Sequence, residues 1–180
     1  MTAILIVPGV EDSGPRDWQT WLETRWPHAV RVEQRDWFDA QADGWVAKLE
    51  RDVEAYEDDV VLVGHSCGTM TIAFWGARFP RKIKGALMVA PTDTEQPNLP
   101  AGIRGFSPFP RGRLPFPAIV VASRNDPWMS FMKAKELAGD WGAEFVDAGD
   151  AGHINTEAGY GPWEAGEALL NSVMKGEAGS

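Results

Sequence analysis

Residues 64–68 have the sequence GHSCG, which sets a hydroxyl between two glycines directly after the apolar run 60–63. A turn that passes abruptly from a strand to a helix strains its central residue and crowds the positions beside it, so only very small side chains fit there. Apolar residues at helical spacing follow, at Met70, Ala73, Phe74 and Ala77. This context predicts that Ser66 is a nucleophile at a strand-to-helix turn, and it favours hydrolytic chemistry over a turn that merely contains a serine.

A serine hydroxyl is a poor nucleophile at neutral pH, so it needs an imidazole to accept its proton. The chain has three histidines. His28 follows a predicted helix and should lie at the far edge of the sheet, whereas His65 adjoins the serine, where neighbouring side chains point to opposite sides. His153 lies in the glycine-containing segment 149–155, after the last predicted strand, and imidazole has an ordinary pKa of about 6.5. We therefore expect His153 to be the base.

The imidazole in turn needs a carboxylate at its second nitrogen, which fixes the tautomer and stabilises the imidazolium. Asp126 is the first candidate, because it lies just beyond the predicted strand 118–122. Asp93, which follows the preceding strand, is the alternative. With Asp126 as the acid, the chain order Ser66, Asp126, His153 resembles the order in α/β-hydrolases.

Backbone amides are expected to stabilise the oxyanion, and each such donor lowers the barrier by roughly 3 kcal/mol. One is the N–H of Cys67, at the positive end of the helix that follows the serine. The other is expected from the loop after the first strand, where Val10 is the first choice and Gly9 the second. The Cys67 thiolate would be a stronger intrinsic nucleophile than a hydroxyl. Its position beside the central serine turns it into the helix packing, so we expect it to be structural.

Short apolar runs alternate with amphipathic stretches along the chain. They predict six strands, at residues 3–7, 29–33, 59–63, 85–90, 118–122 and 143–147. Such alternation is typical of a mostly parallel sheet with helices on both faces, whose strand-to-helix loops gather at the ligand-binding edge. We predict an α/β fold, a three-layer α/β/α sandwich, as a single domain over residues 1–176, with 177–180 as a flexible tail.

The segment 91–117 interrupts this alternation, because it holds seven of the thirteen prolines and no clear period. It follows the predicted strand 85–90 and should therefore lie over the ligand-binding edge. Its aromatics Phe106, Phe109 and Phe116 either form an apolar wall or small lid, or pack beneath a proline-stiffened surface connection. The side chains predicted to line a substrate pocket are Asp12, Trp37, Phe106 and Trp128.

Composition excludes several classes of function. The net charge of −9 argues against nucleic acid, and no apolar run is long enough to cross a membrane. The run at 3–7 is too short for the apolar part of a signal peptide, and one cysteine excludes an internal disulfide, which fits a reducing, cytoplasmic setting. We expect a monomer or weak homodimer. No metal or other cofactor is expected, because the histidines are scattered and no glycine-rich phosphate loop is present.

The wider sequence resembles the retinoblastoma-binding protein 9 family of small α/β-hydrolase serine hydrolases, in a bacterial-type form. The resemblance covers nearly the whole chain and rests on residues 7–9, 18–22, 32–37, 64–68, 114–117, 123–127, 152–155 and 161–163. It implies a minimal α/β-hydrolase fold without a large cap domain, with nucleophile, acid and base at Ser66, Asp126 and His153.

The chain also departs from that family. Members often have leucine where Cys67 stands and a smaller aromatic where Trp128 stands. The family's Leu-x-Cys-x-Glu partner-binding motif is missing, because His65 and Thr69 occupy its other two positions around the cysteine. A substrate preference and a partner should therefore not be transferred from relatives.

The predicted function is hydrolysis of a small carboxylic ester, thioester or amide through an acyl-enzyme on Ser66, with a small-molecule acyl substrate. Two alternatives remain, since a fold does not fix a function. One is a binding protein that keeps the fold without turnover. The other is an acyltransferase or perhydrolase with the same three residues.

Overall fold

A computed structural model describes residues 1–177 of the chain, so most of the tail predicted for 177–180 lies outside the described residues. The strands are β1 Ala3–Val7, β2 Ala29–Arg31, β3 Val60–His65, β4 Gly85–Val89, β5 Ala118–Ala122 and β6 Glu144–Asp147. The helices are α1 Trp18–Arg25, α2 Ala42–Ala55, α3 Cys67–Arg78, α4 Phe131–Trp141 and α5 Glu164–Lys175. Strands and helices alternate except between β4 and β5, where the segment 91–117 intervenes.

The six strands form one sheet in the order β2-β1-β3-β4-β5-β6, and every neighbouring pair is parallel. The predicted α/β fold with a six-stranded sheet is thus confirmed. The strand β3 lies in the middle and is buried along its whole length, which explains its continuous apolar sequence. The edge strand β2 is only partly buried and ends at Arg31, two residues earlier than predicted.

Side chains alternate between the two faces of the sheet. Leu5 and Leu62 belong to the cluster that also holds buried side chains of α2, α3 and α4. Ile4 and Val63 belong to the opposite cluster, with side chains of α1 and α5. The sheet is therefore covered on both faces, as in the predicted three-layer sandwich.

The segment 91–117 packs its aromatic side chains into the core. Phe106, Phe109 and Phe116 are buried, and the ring of Phe106 meets Phe74 of α3 edge to face at 5.4 Å between centroids. The ring of Phe116 lies 5.6 Å from that of Trp75, also on α3. The aromatic side chains therefore pack beneath the surface connection, as in the second of the two expected arrangements, and do not form an aromatic wall over the site.

Two smaller features concern the ends of helices and membrane crossing. The helix α5 begins at Glu164 with Trp163 at its N-cap, so Pro162 precedes the helix. Within residues 1–177, no helix combines the length and the apolar character that a membrane span needs.

Candidate active site

The turn between β3 and α3 presents Ser66 in a strained backbone conformation, with φ 57° and ψ −125°. Few residues other than glycine adopt a positive φ, and such strain is found most often at functional sites. A Cβ added to Gly64 would lie 2.7 Å from Cδ1 of Ile72, and one added to Gly68 only 2.0 Å from the carbonyl oxygen of Val7. Gly68 has no room for a side chain because it lies against the backbone of β1, and a side chain at Gly64 would have to displace Ile72 of α3.

The hydroxyl of Ser66 lies at one end of a hydrogen-bonded chain. Its Oγ is 2.9 Å from Nε2 of His153, whose Nδ1 is 2.9 and 3.0 Å from the two carboxylate oxygens of Asp126. The side chain of Asp126 is 2% exposed, and its Oδ1 also accepts the backbone N–H of Trp128. Since a carboxylate only accepts, Nδ1 carries the proton and Nε2 is left to accept the serine proton.

Two ring side chains, those of His65 and Trp18, hold the backbone around His153 by hydrogen bonds. The Nε2–H of His65 donates to the carbonyl of His153 at 2.8 Å, and the Nε1–H of Trp18 donates to the carbonyl of Ile154 at 2.9 Å. Burial lowers the pKa of His65 to about 3, and repulsion from a protonated His153 would act in the same direction. His65 therefore stays neutral and acts as a support against the neighbouring loop.

The loops that carry the acid and the base are tied to each other. The Oγ of Ser123 accepts the N–H of Ala151 at 2.9 Å and donates to Oδ1 of Asn125. The Oδ1 of Asn125 also accepts the N–H of Gly152 at 2.7 Å. The loop after β5 thus fixes the loop after β6, which sets the distance between carboxylate and imidazole.

The other candidate residues lie elsewhere. The carboxylate of Asp93 forms an ion pair with Lys133, 2.7 Å between Oδ1 and Nζ, and does not contact the imidazole. His28 is exposed, next to the amino end of β2 and thus at the opposite edge of the sheet. The Cys67 thiol is fully buried, and burial raises its pKa to about 12, so it is no nucleophile at neutral pH.

The loop after β1 lies directly against the serine turn. A Cβ added to Gly9 would lie 2.8 Å from Cβ of Ser66 and 3.3 Å from the amide nitrogen of Cys67. Within residues 1–177, the amides of Val10 and Cys67 donate to no protein acceptor, and the latter opens the first turn of α3. The amide of Cys67 thus adjoins the serine, and Val10 lines the same cleft as Ser66.

A cleft of about 510 Å³ opens above Ser66 and His153. Asp12 and Trp128 line it, as the sequence suggests, but Trp37 and Phe106 do not. Trp37 packs edge to face on Trp45 at 5.9 Å, and Phe106 is buried against α3. The prediction for these two aromatics is wrong because both rings are used in core packing.

Carboxylates are prominent in the lining of the cleft, which includes Glu11, Asp12, Asp17 and Glu157. Arg31 neutralises Asp12 through contacts of 2.8 and 2.9 Å to its two oxygens. Burial raises the pKa of Asp17. Among residues 1–177, no three His, Cys, Asp or Glu side chains are grouped to hold a metal ion.

Thr92 is a neighbour of the serine that the sequence pattern does not identify. Its Oγ1 lies 2.9 Å from Oγ of Ser66. Its position shortly after the predicted strand 85–90 places it at the ligand-binding edge, which is the signal that could have pointed to it. In this segment the sequence pattern indicates Asp93 instead, one residue later, because a carboxylate fits the role of the acid.

A parallel sheet with a serine on a strained turn after a central strand defines the α/β-hydrolase class of fold. Residues 4–172 match the family model described as serine hydrolase, and the chain belongs to that family. No curated protein matches the chain in sequence. The resemblance to the retinoblastoma-binding protein 9 family, which is narrower, stays a prediction.

Solved structures agree with this fold. A protein described as a YdeN-like hydrolase from Pectobacterium atrosepticum is 36% identical, with 98% of this chain and 91% of that chain covered and a TM-score of 0.83. The ydeN gene product of Bacillus subtilis is 19% identical, with 97% and 100% covered and a TM-score of 0.83. Est1E from Butyrivibrio proteoclasticus, solved with ferulic acid bound, is 12% identical, with 97% and 87% covered and a TM-score of 0.69. The last two show similarity of fold alone.

Proposed function

We propose that the protein hydrolyses a small carboxylic ester, thioester or amide through an acyl-enzyme on Ser66. The proposal is supported above all by the continuous hydrogen-bonded chain from Oγ of Ser66 through His153 to Asp126, which opens into a cleft. Such a chain has one chemical use at a carbonyl, namely removal of the hydroxyl proton as the oxygen attacks.

In acylation, Oγ of Ser66 attacks the carbonyl carbon while its proton moves to Nε2 of His153. The Asp126 carboxylate stabilises the imidazolium that results, and the amides of Cys67 and Val10 donate to the oxyanion. The imidazolium then gives its proton to the leaving alcohol, thiol or amine. The bond to the leaving group breaks, and an ester on Ser66 remains.

In deacylation, water takes the place of the leaving group. His153 removes a proton from the water as its oxygen attacks the acyl carbon, and the same two amides hold the second oxyanion. The proton then passes from His153 to Oγ, which restores the serine and releases the acid. No step needs a group beyond these residues and water.

A fluorophosphonate probe tests the proposal, because it reacts only with an activated serine. We expect stoichiometric labelling of the wild-type protein and none of the Ser66→Ala variant, with both proteins folded by circular dichroism. Folded wild-type protein that resists the probe would contradict the proposal and favour a binding protein without turnover. Product analysis in mixtures of water, alcohol and peroxide then separates hydrolysis from acyl transfer or perhydrolysis.

The acyl group is addressed by a second measurement. Esters and aminoacyl amides of graded acyl length are compared by kcat/KM, with the Ser66→Ala protein as the blank. We expect a fall in kcat/KM once the acyl chain exceeds what the cleft of about 510 Å³ can hold. A flat profile would show that the acyl group lies outside the cleft.

A further inference from the structure

The hydroxyl of Thr92 contacts the proposed nucleophile and has no part in the mechanism above. Its Oγ1 lies 2.9 Å from Oγ of Ser66, the side chain lines the cleft, and the residue is 3% exposed. Within residues 1–177, Ser66 is the only hydrogen-bond partner of this hydroxyl. Thr92 follows β4, which neighbours β3 in the sheet.

The direction of this hydrogen bond follows from a count of protons. Nδ1 of His153 carries its proton toward Asp126, so Nε2 can only accept, and the single proton of Ser66 goes to it. No proton of the serine is left for Thr92, so Thr92 must be the donor in the 2.9 Å contact. One lone pair of Oγ therefore accepts from Thr92, and the second is free to attack a carbonyl carbon.

Thr92 and Gly9 belong to the connections that follow the two strands on either side of β3. The strand β3 lies between β1 and β4, so the loop after β1 brings Gly9 against one flank of Ser66 while the connection after β4 brings Thr92 against the other. The hydroxyl of Thr92 thus acts on Oγ itself, and the amides act on the substrate oxygen.

We propose that Thr92 is a catalytic residue that donates a hydrogen bond to Oγ of Ser66 in both half-reactions, an inference that rests on the proposed hydrolytic function. In acylation the bond holds Oγ toward His153 and stabilises the negative charge that develops as the proton leaves. In deacylation Oγ is the leaving atom, and the same bond stabilises it until His153 returns the proton. The proton of Thr92 stays on Thr92 throughout.

The test compares three variants by stopped-flow kinetics with p-nitrophenyl acetate and by the rate of inactivation with a fluorophosphonate. Thr92→Val keeps the shape and removes the hydroxyl, and Thr92→Ser keeps the hydroxyl. Thr94→Val is the matched control, because Thr94 lies in the same connection and donates to the carbonyl of Phe106, away from the serine. Thermal unfolding of each variant reports loss of stability.

We expect Thr92→Val to slow acylation, deacylation and inactivation by about tenfold each, the effect of one hydrogen bond in the transition state. Thr92→Ser should stay within about threefold of the wild type, and Thr94→Val within about twofold, at a similar or larger loss of thermal stability. Should Thr92→Val not fold, Thr92→Ala replaces it and is compared with Thr92→Ser.

The outcomes separate this proposal from the proposed function. If wild-type protein does not react with the fluorophosphonate, the hydrolytic function fails, and the role of Thr92 fails with it. If wild-type protein reacts and Thr92→Val reacts equally fast, Thr92 has no such role and the hydrolytic function stands. Equal losses in Thr92→Val and Thr94→Val would assign the effect to stability alone and would also overturn the proposal.

Discussion

The two flanks of Ser66 differ in the groups that surround the serine. The β1 flank, formed by the loop after β1, presents backbone, whereas the side-chain flank, formed by the connections after β4, β5 and β6, presents side chains. On the β1 flank, Gly9 brings bare backbone within contact of the serine, and the groups proposed to hold the oxyanion are backbone amides. On the β4 to β6 flank, the contacts are made by the side chains of Thr92, Asp126 and His153. The β1 flank therefore depends on the absence of a side chain at Gly9, and the side-chain flank depends on particular polar side-chain atoms.

The flanks also differ in what supports them. The side-chain flank is braced by hydrogen bonds between loops, such as those from Ser123 to Ala151 and from His65 to the carbonyl of His153. The β1 flank is fixed by close packing, since Gly68 lies against the carbonyl of Val7. Substitutions that add a methyl group should damage the β1 flank, whereas substitutions that change one polar atom should damage the side-chain flank.

The largest expected effect is that of Asp126→Asn on the side-chain flank. An amide cannot hold the proton on Nδ1 of His153 as a carboxylate does, so kcat should fall by about four orders of magnitude while the fold is kept. Steady-state hydrolysis of p-nitrophenyl acetate and circular dichroism measure the two properties.

Asp93→Asn is the matched control, because it removes a carboxylate that pairs with Lys133 and not with the imidazole. It should leave kcat within a few-fold of the wild type. A loss in Asp93→Asn as large as that in Asp126→Asn would mean that the acid has been wrongly assigned and that the side-chain flank is built differently.

The next effect belongs to the backbone flank, at Gly9→Ala. The added methyl carbon would lie 2.8 Å from Cβ of Ser66, closer than such atoms can approach, so either the loop or the serine must move. Misplacement of an oxyanion donor or of the nucleophile should lower kcat by about a hundredfold. The measurement is the kcat of p-nitrophenyl acetate hydrolysis beside the melting temperature.

Gly44→Ala in α2 serves as its control, since a Cβ there would meet nothing within 4 Å. Its activity should equal that of the wild type, with equal or greater stability because alanine favours a helix. Full activity in Gly9→Ala would show that the β1 flank tolerates added atoms, and the contrast between the flanks would then be lost.

The fold was largely predictable because strands buried on both faces leave continuous apolar runs, as at β3. The site residues were predictable for a simpler reason. The chain has only three histidines, and loops that follow parallel strands gather at one edge of the sheet, so few choices of base and acid remain. His153 is the histidine that the structure brings to Ser66. Asp126 followed from its position after β5. These inferences need only chain order and the geometry of parallel sheets.

The rest depends on tertiary packing that sequence patterns do not record. Phe106 and Trp37 are aromatic residues of the kind expected in a pocket wall. Their rings instead pack against aromatic side chains of α3 and α2. Thr92 carries a common hydroxyl with no distinctive spacing. A threonine becomes notable only when its oxygen is seen 2.9 Å from another hydroxyl.

A third prediction concerns acid, which should weaken the side-chain flank through His65. The pKa of His65 is about 3 in the folded protein, against an ordinary value of 6.5. Below pH 6.5 the unfolded chain binds a proton that the native protein does not, so stability falls as the pH drops toward 3. The slope is at most about 1.4 kcal/mol per pH unit, or about 2 kcal/mol between pH 6.5 and 5.

Urea unfolding of His65→Gln between pH 7 and 4 checks this origin. The variant should show a shallower fall in the free energy of unfolding than the wild type, although it starts from a lower value at pH 7. His28→Gln, at an exposed position, should keep the wild-type slope. Parallel curves for wild type and His65→Gln would mean that acid acts on another group.

The smallest expected effect concerns the choice of substrate. It tests whether side chains of the β1 flank select against an anionic acyl group. Glu11 and Glu157 both line the cleft, one in the loop after β1 and the other after His153. Carboxylates in the lining should repel an anionic acyl group, so kcat/KM for p-nitrophenyl hemisuccinate should be about fivefold below that for p-nitrophenyl butyrate at low salt, and the gap should narrow at high salt.

The Glu11→Gln and Glu157→Gln variants locate that repulsion. If the discrimination falls more in Glu11→Gln, the β1 flank selects the substrate with side chains while it serves the nucleophile with backbone alone. If it falls more in Glu157→Gln, both tasks belong to the side-chain flank. Equal rates for the two esters at low salt would show that the acyl group does not approach these carboxylates, because an unscreened charge within a few ångströms could not leave kcat/KM unchanged.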